Sequence, residues 1–89
     1  MIRRKVVIQN RLGLHARAAG KLVAEAARHE GEIWLVRDGR RVNAKSIMGI
    51  LMLAAGKGTE LIIEAEDPGG QQACTALARL IAARFGEDD

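Results

Sequence analysis

The 89 residues suffice for one hydrophobic core and no second, so the sequence predicts a single domain over residues 1–89. Hydrophobic residues at 48% and charged ones at 28% exclude a disordered chain, and with one Trp and one Phe the core must be aliphatic. A net charge of +3 with so few rings argues against nucleic-acid binding, which favours a denser basic patch and aromatics for base stacking.

The chain opens "MIRRKVVIQN", an apolar run too short for a signal peptide. Within it "KVVIQ" (Lys5–Gln9) has the β-branched composition of a strand, followed by a turn at "NRLG". Beyond His15, the residues Ala16, Ala19, Leu22, Val23, Ala26 and Ala27 recur at the helical period. Lys21, Glu25 and Arg28 fall on the other side, and Gly31 is the expected terminator. "EIWLVRDGRRV" reads as a hairpin: Ile33 and Leu35 alternate with Trp34 and Val36, and Asp38-Gly39 is a favoured two-residue turn.

Ser46 then stands where a short helix, "IMGILMLAAG", needs an N-cap, with Gly56 and Gly58 at its exit. In "TELIIEAE" the residues Leu61, Ile63 and Ala65 are placed to face a core, against Glu60, Glu64 and Glu66. "DPGG" is a turn, and Cys74, Leu77, Ala78, Ile81 and Phe85 share one face of a last helix. The order is β-α-β-β-α-β-α. It predicts an α/β (α+β) open-faced sandwich, a four-stranded antiparallel sheet covered on one face by three helices.

No apolar stretch approaches the roughly 20 residues of a membrane span, so no membrane insertion is expected and the chain reads as soluble and cytoplasmic. Cys74 is the only cysteine, which precludes an intrachain disulfide and a cysteine-rich metal site and fits a reducing compartment.

Chemistry concentrates in "RLGLHARAAGKLV". His15 stands where the first helix begins, and a helix start offers free N–H groups with a partial positive charge. That charge disfavours imidazolium, leaving more free imidazole to attack a phosphoryl group. Arg17 adds a planar cation suited to phosphate. An arbitrary lone histidine is most often a cap or a surface-turn residue; the neighbouring Arg17 and the helix end weigh against that here. His29 falls in the helix's last turn and reads as a solvated residue favourable to the dipole. Neither histidine has local acidic or cysteine companions, so no metal is expected and no cofactor is implied. "GKGT" (Gly56–Thr59) lacks the spacing of a phosphate-binding loop and reads as a helix exit.

Ser46 has an ordinary role as an N-cap and a functional one as a phosphorylation site. The helix after it is apolar all round. Ile50 and Leu53 are expected inward, and Ile47, Met48, Leu51 and Met52 on an exposed side suited to docking.

Together "GLHARAA" and "NAKSIMGILMLAAGKGTEL" resemble the histidine-containing phosphocarrier (HPr) family of the bacterial phosphoenolpyruvate-dependent phosphotransferase system, over Lys5 to about Phe85. The resemblance implies that His15 accepts a phosphoryl group at Nδ1 from enzyme I and donates it to an enzyme IIA domain. It implies that Arg17 is the active-site arginine and Ser46 the regulatory serine, a substrate of HPr kinase/phosphorylase in some bacteria. It places partner docking on Arg17, Gly20, Ile47, Met48, Leu51 and Met52. Such a protein is a carrier, not an independent enzyme, and is expected to be monomeric. One departure stands out: Ala18 replaces the proline that most sugar-transport members carry after the arginine. In this the chain looks more like the nitrogen-type branch (NPr), so a regulatory phosphorelay competes with sugar uptake. The rival from another class is a small non-catalytic binding or signalling module acting through the Ser46 and Met48 surface.

Overall fold

Alternation along the last strand settles which face of the sheet is buried. In the computed structural model, which describes residues 1–89, Leu61, Ile63 and Ala65 are at most 1% exposed while Glu60 and Ile62 face outward. The elements are β1 (Ile2–Val7), α1 (Ala16–Ala26), β2 (Ile33–Arg37), β3 (Arg40–Asn43), α2 (Ile47–Met52), β4 (Glu60–Ala65) and α3 (Gly70–Ala82). A 3-10 turn over Arg84–Gly86 follows. The four strands form one antiparallel sheet in the order β1-β4-β2-β3, with the core between one of its faces and the helices, as the pattern predicts.

The other face is open and polar. Arg3 and Arg41 both donate to Glu64, at 2.9 and 3.0 Å, and these hydrogen bonds, that from Arg3 foremost, hold its carboxyl below the usual range. The Arg41 guanidinium also stacks 3.6 Å from the centre of the Trp34 ring, which explains how a tryptophan sits outside the aliphatic core.

Several boundaries move, each for a tertiary reason. β1 runs Ile2–Val7 instead of Lys5–Gln9, because β4 pairs with it from Ile2↔Ala65 to Val7↔Glu60. The buried stripe of α1 is Ala18, Ala19, Leu22 and Ala26; Ala16 and Ala27 are exposed and Val23 is half-buried. That helix ends at Ala26, where Arg28 and His29 N–H groups bond back to Glu25 and Ala26. Gly31, at φ +82°, turns the chain into β2 instead of terminating α1. At the exit of α2 the left-handed residue is Ala54 (φ +50°), not a glycine. Arg37 donates to the carbonyls of Leu53 and Ala54, and Arg40 to that of Met52, so arginine side chains satisfy this helix end. Phe85 is buried as expected, but lies past the end of α3, where Arg84 (φ +57°) and Phe85 (φ +55°) turn the chain back. This reversal directs the C-terminal residues toward His15.

Gly13 fixes the approach to His15. At φ +67° a Cβ there would lie 2.5 Å from the Ala55 carbonyl oxygen and 2.7 Å from the Gly56 Cα, both backbone. Gly13→Ala is therefore expected to destabilise the chain by about 2–4 kcal/mol, from backbone strain and overpacking together. Gly20, inside α1 with nothing within 4 Å of its would-be Cβ, makes the control. Gly20→Ala should stabilise by up to about 1 kcal/mol. Urea midpoints shifted in opposite directions for the two variants would verify this reading.

Candidate functional site

The loop before α1 is held from within. Asn10 is fully buried, its Nδ2 donates to the Gly13 carbonyl at 2.8 Å, and the Gly13 N–H returns a bond to the Asn10 carbonyl at 3.1 Å. Leu14 is buried, and its N–H donates to the Ala55 carbonyl at 2.9 Å, tying the loop to the segment after α2. His15 follows as the N-cap residue of α1, with extended backbone (φ −72°, ψ 175°). Its carbonyl accepts the Ala19 N–H at 2.8 Å, leaving the N–H groups of Ala16, Arg17 and Ala18 to form the positive end of the helix.

The side chain of His15 does not cap the helix. It is 27% exposed, and its Nε2 lies 2.5 Å from Glu87 Oε2. The other carboxylate oxygen, Oε1, accepts Asn10 Nδ2 at 3.0 Å. Hydrogen bonds from His15 and then Asn10, with the Lys21 charge nearby, hold the Glu87 carboxyl below the usual carboxylate range. Glu87 thus sets a carboxylate against Nε2, a partner that the sequence does not announce. Neither Asn10 nor Glu87 was visible as a site residue. They lie at opposite ends of the chain, and "GEDD" reads only as a polar terminus.

Arg17 lies in the first turn and is exposed. Its guanidinium is in none of the chain's ion pairs, which take Arg3, Arg11, Arg28, Arg37 and Arg41. The helix start thus presents an imidazole whose Nδ1 has no hydrogen-bond partner, three free N–H groups and an unpaired arginine. Ala18 is fully buried, so its methyl serves the core while its N–H stays with the helix end.

His29 departs from expectation. It lies past the last turn of α1, only 21% exposed, with Nε2 3.0 Å from Glu25 Oε2 and its carbonyl accepting Lys45 Nζ at 2.8 Å. Cys74 is buried, and burial pushes its thiol up.

Ser46 is the N-cap of α2, its Oγ accepting the Gly49 N–H at 3.1 Å. Ile50 and Leu53 point inward, while Ile47, Met48 and Met52 are 44%, 70% and 60% exposed. Leu51 is the exception, half-buried against the core because the six-residue helix cannot turn all its apolar side chains outward. α1 packs against α2, and Gly20 leaves open space on α1.

Residues 2–83 match the family model described as the PTS HPr component phosphorylation site. The chain is 48% identical to the phosphocarrier protein HPr of Cupriavidus necator, over 100% of both chains. It is 41% identical to the HPr-like protein Crh of Bacillus subtilis, over 91% of this chain and 95% of that one. The crystal structure of HPr-C-His from Thermoanaerobacter tengcongensis superposes with a TM-score of 0.95 at 39% identity, covering both chains completely. A phosphorylation-site model spanning the described helix start, with whole-chain relatives of the same fold, leaves one assignment: the chain belongs to the HPr family of phosphocarrier proteins of the phosphotransferase system.

Proposed function

We propose that His15 is the residue that carries the phosphoryl group, accepting it at Nδ1 from enzyme I and passing it to an enzyme IIA domain. The observation that carries this reading is the open Nδ1 at a helix N-terminus beside the exposed, unpaired Arg17. An exposed site suits a carrier. It must hold the group without over-stabilising it, and the partner's side chains complete the in-line geometry. Incubation with phosphoenolpyruvate and enzyme I should add the mass of one phosphate. The adduct should be acid-labile and alkali-stable, the signature of phosphohistidine; an acid-stable adduct would contradict the reading.

Ala18 keeps at the helix start an N–H that proline lacks, and the acceptor is either a sugar-transport enzyme IIA domain or a regulatory, nitrogen-type one. Offering the phosphorylated chain to enzyme IIA domains of both types decides this: the favoured acceptor takes the phosphate faster.

Docking is assigned to the first turn of α1, Gly20 and the exposed side of α2, with Ser46 at its edge as the regulatory position for HPr kinase/phosphorylase. Ser46→Asp places a charge where an apolar partner surface must be desolvated. The same Asp is a good N-cap and favours the helix dipole. The expected result is split. His15 phosphorylation slows about tenfold, equivalent to about 1.4 kcal/mol, while the melting temperature holds or rises. If transfer and stability fell together, Ser46 would be a structural cap alone.

A further inference from the structure

We propose that Glu87 is a positioning residue for phosphoryl transfer: it holds His15 in the Nε2–H tautomer, so that Nδ1 alone offers a lone pair to phosphorus. The inference rests on the reading of His15 as the phosphoryl acceptor and adds a role for the C-terminal segment.

The geometry requires a proton between the two groups. At 2.5 Å, Nε2 and Oε2 cannot face each other with a lone pair on each, so one of them donates. A carboxyl is ionised near neutral pH and then only accepts, so the ring nitrogen is the donor. A ring carrying its proton on Nδ1 would set the Nε2 lone pair against a carboxylate oxygen, and this contact disfavours that tautomer.

The carboxylate is itself aimed. Asn10 spends both Nδ2 hydrogens, on Gly13 O at 2.8 Å and Glu87 Oε1 at 3.0 Å, and its buried Oδ1 is left without a partner. Turning the amide over would bring Oδ1 against two acceptors, so the orphaned oxygen is the cost of directing Glu87. Phe85, 1% exposed, anchors the segment, and Lys21 Nζ holds its carbonyl at 2.5 Å. Arg84 and Phe85 both take positive φ to reverse the chain, a strained conformation for residues other than glycine. Beyond Glu87, the Arg11 N–H donates to the Asp89 carbonyl at 3.0 Å and Arg84 donates to the Asp88 carbonyl at 3.0 Å. The tail is therefore fixed on both sides of Glu87.

The transfer then balances without moving a proton on His15. The Nδ1 lone pair forms the Nδ1–P bond as the bond from phosphorus to the donor's leaving atom breaks, and that bonding pair leaves with the donor. The ring gains positive charge, and the Nε2–H···Oε2 hydrogen bond strengthens against it. On delivery the acceptor's lone pair attacks phosphorus, the P–Nδ1 pair returns to the ring, and Nε2 keeps its proton. The arrangement has the logic of a carboxylate orienting a catalytic imidazole.

Nitrogen-15 NMR of the ring in alkaline buffer reads the tautomer directly, in the unphosphorylated chain. The Nε2–H form alone is expected in the parent and a mixture of both forms in Glu87→Ala. Phosphorylation by enzyme I should slow about tenfold in Glu87→Ala. Glu87→Gln, which keeps the shape and loses the charge, should be slowed as well, which separates the charge from mere packing. An unchanged tautomer in Glu87→Ala, or parent rates in both variants, overturns the role. A parent chain that takes no phosphate at His15 would instead refute the carrier reading, and the tautomer comparison would still judge Glu87 by itself.

Discussion

His15→Ala is expected to abolish phosphoryl acceptance while leaving the fold intact. The ring is partly exposed and does not cap α1, so its removal opens no core cavity and withdraws no bond from the helix. What it leaves behind is Glu87 without one partner, and that carboxylate keeps Asn10 and its own partial exposure to water. The cost should stay within about 1 kcal/mol, which lowers the melting temperature by no more than about 4–8 °C in a domain of this size. Intact mass after treatment with phosphoenolpyruvate and enzyme I should show one added phosphate in the parent and none in the variant. The competing nucleophile is His29, whose ring is paired with Glu25 and whose backbone is held by Lys45. Phosphate appearing on His29 of the variant would sink the assignment of His15.

How much of this is legible in the sequence depends on whether the cause is local. Apolar alternation placed Leu61, Ile63 and Ala65 correctly, since a strand with one buried face repeats every second residue. Ser46 as N-cap, and the Asp38-Gly39 turn whose two residues take positive φ, are short-range chemistry and hold as read. The failures are long-range. The length of β1 is set by β4, and the exit of α2 is satisfied by Arg37 and Arg40 from the neighbouring hairpin, so no glycine is needed there. Leu51 is half-buried because tertiary packing claims part of a helix whose sequence is apolar all round. At the site, His15 and Arg17 are two residues apart and readable together. Glu87 reaches His15 only because Arg84 and Phe85 turn the chain after α3, a backbone choice that neither residue type announces.

Arg17→Ala should slow transfer by about ten- to a hundredfold while hardly changing stability. In the unphosphorylated chain the guanidinium is exposed and unpaired, so truncation loses no ion pair, and alanine is the better helix former. Its expected partner is the phosphate. A charge-assisted hydrogen bond to a dianionic group contributes roughly 1.5–3 kcal/mol, and about 1.4 kcal/mol corresponds to a factor of ten in rate. Arg17→Lys should fall between the two, since lysine restores the charge without the planar fork that meets two phosphate oxygens. Stopped-flow transfer in both directions is the measurement. Parent kinetics in Arg17→Ala would mean that the N–H groups of Ala16, Arg17 and Ala18 suffice to hold the phosphate. Arg17 is assigned to the phosphate and Glu87 to the ring nitrogen on the other side, so they bear on the same transition state without touching the same atoms. Combined with Glu87→Ala, the two losses should therefore multiply. A double variant no slower than either single one would place both residues on one interaction and merge the two roles.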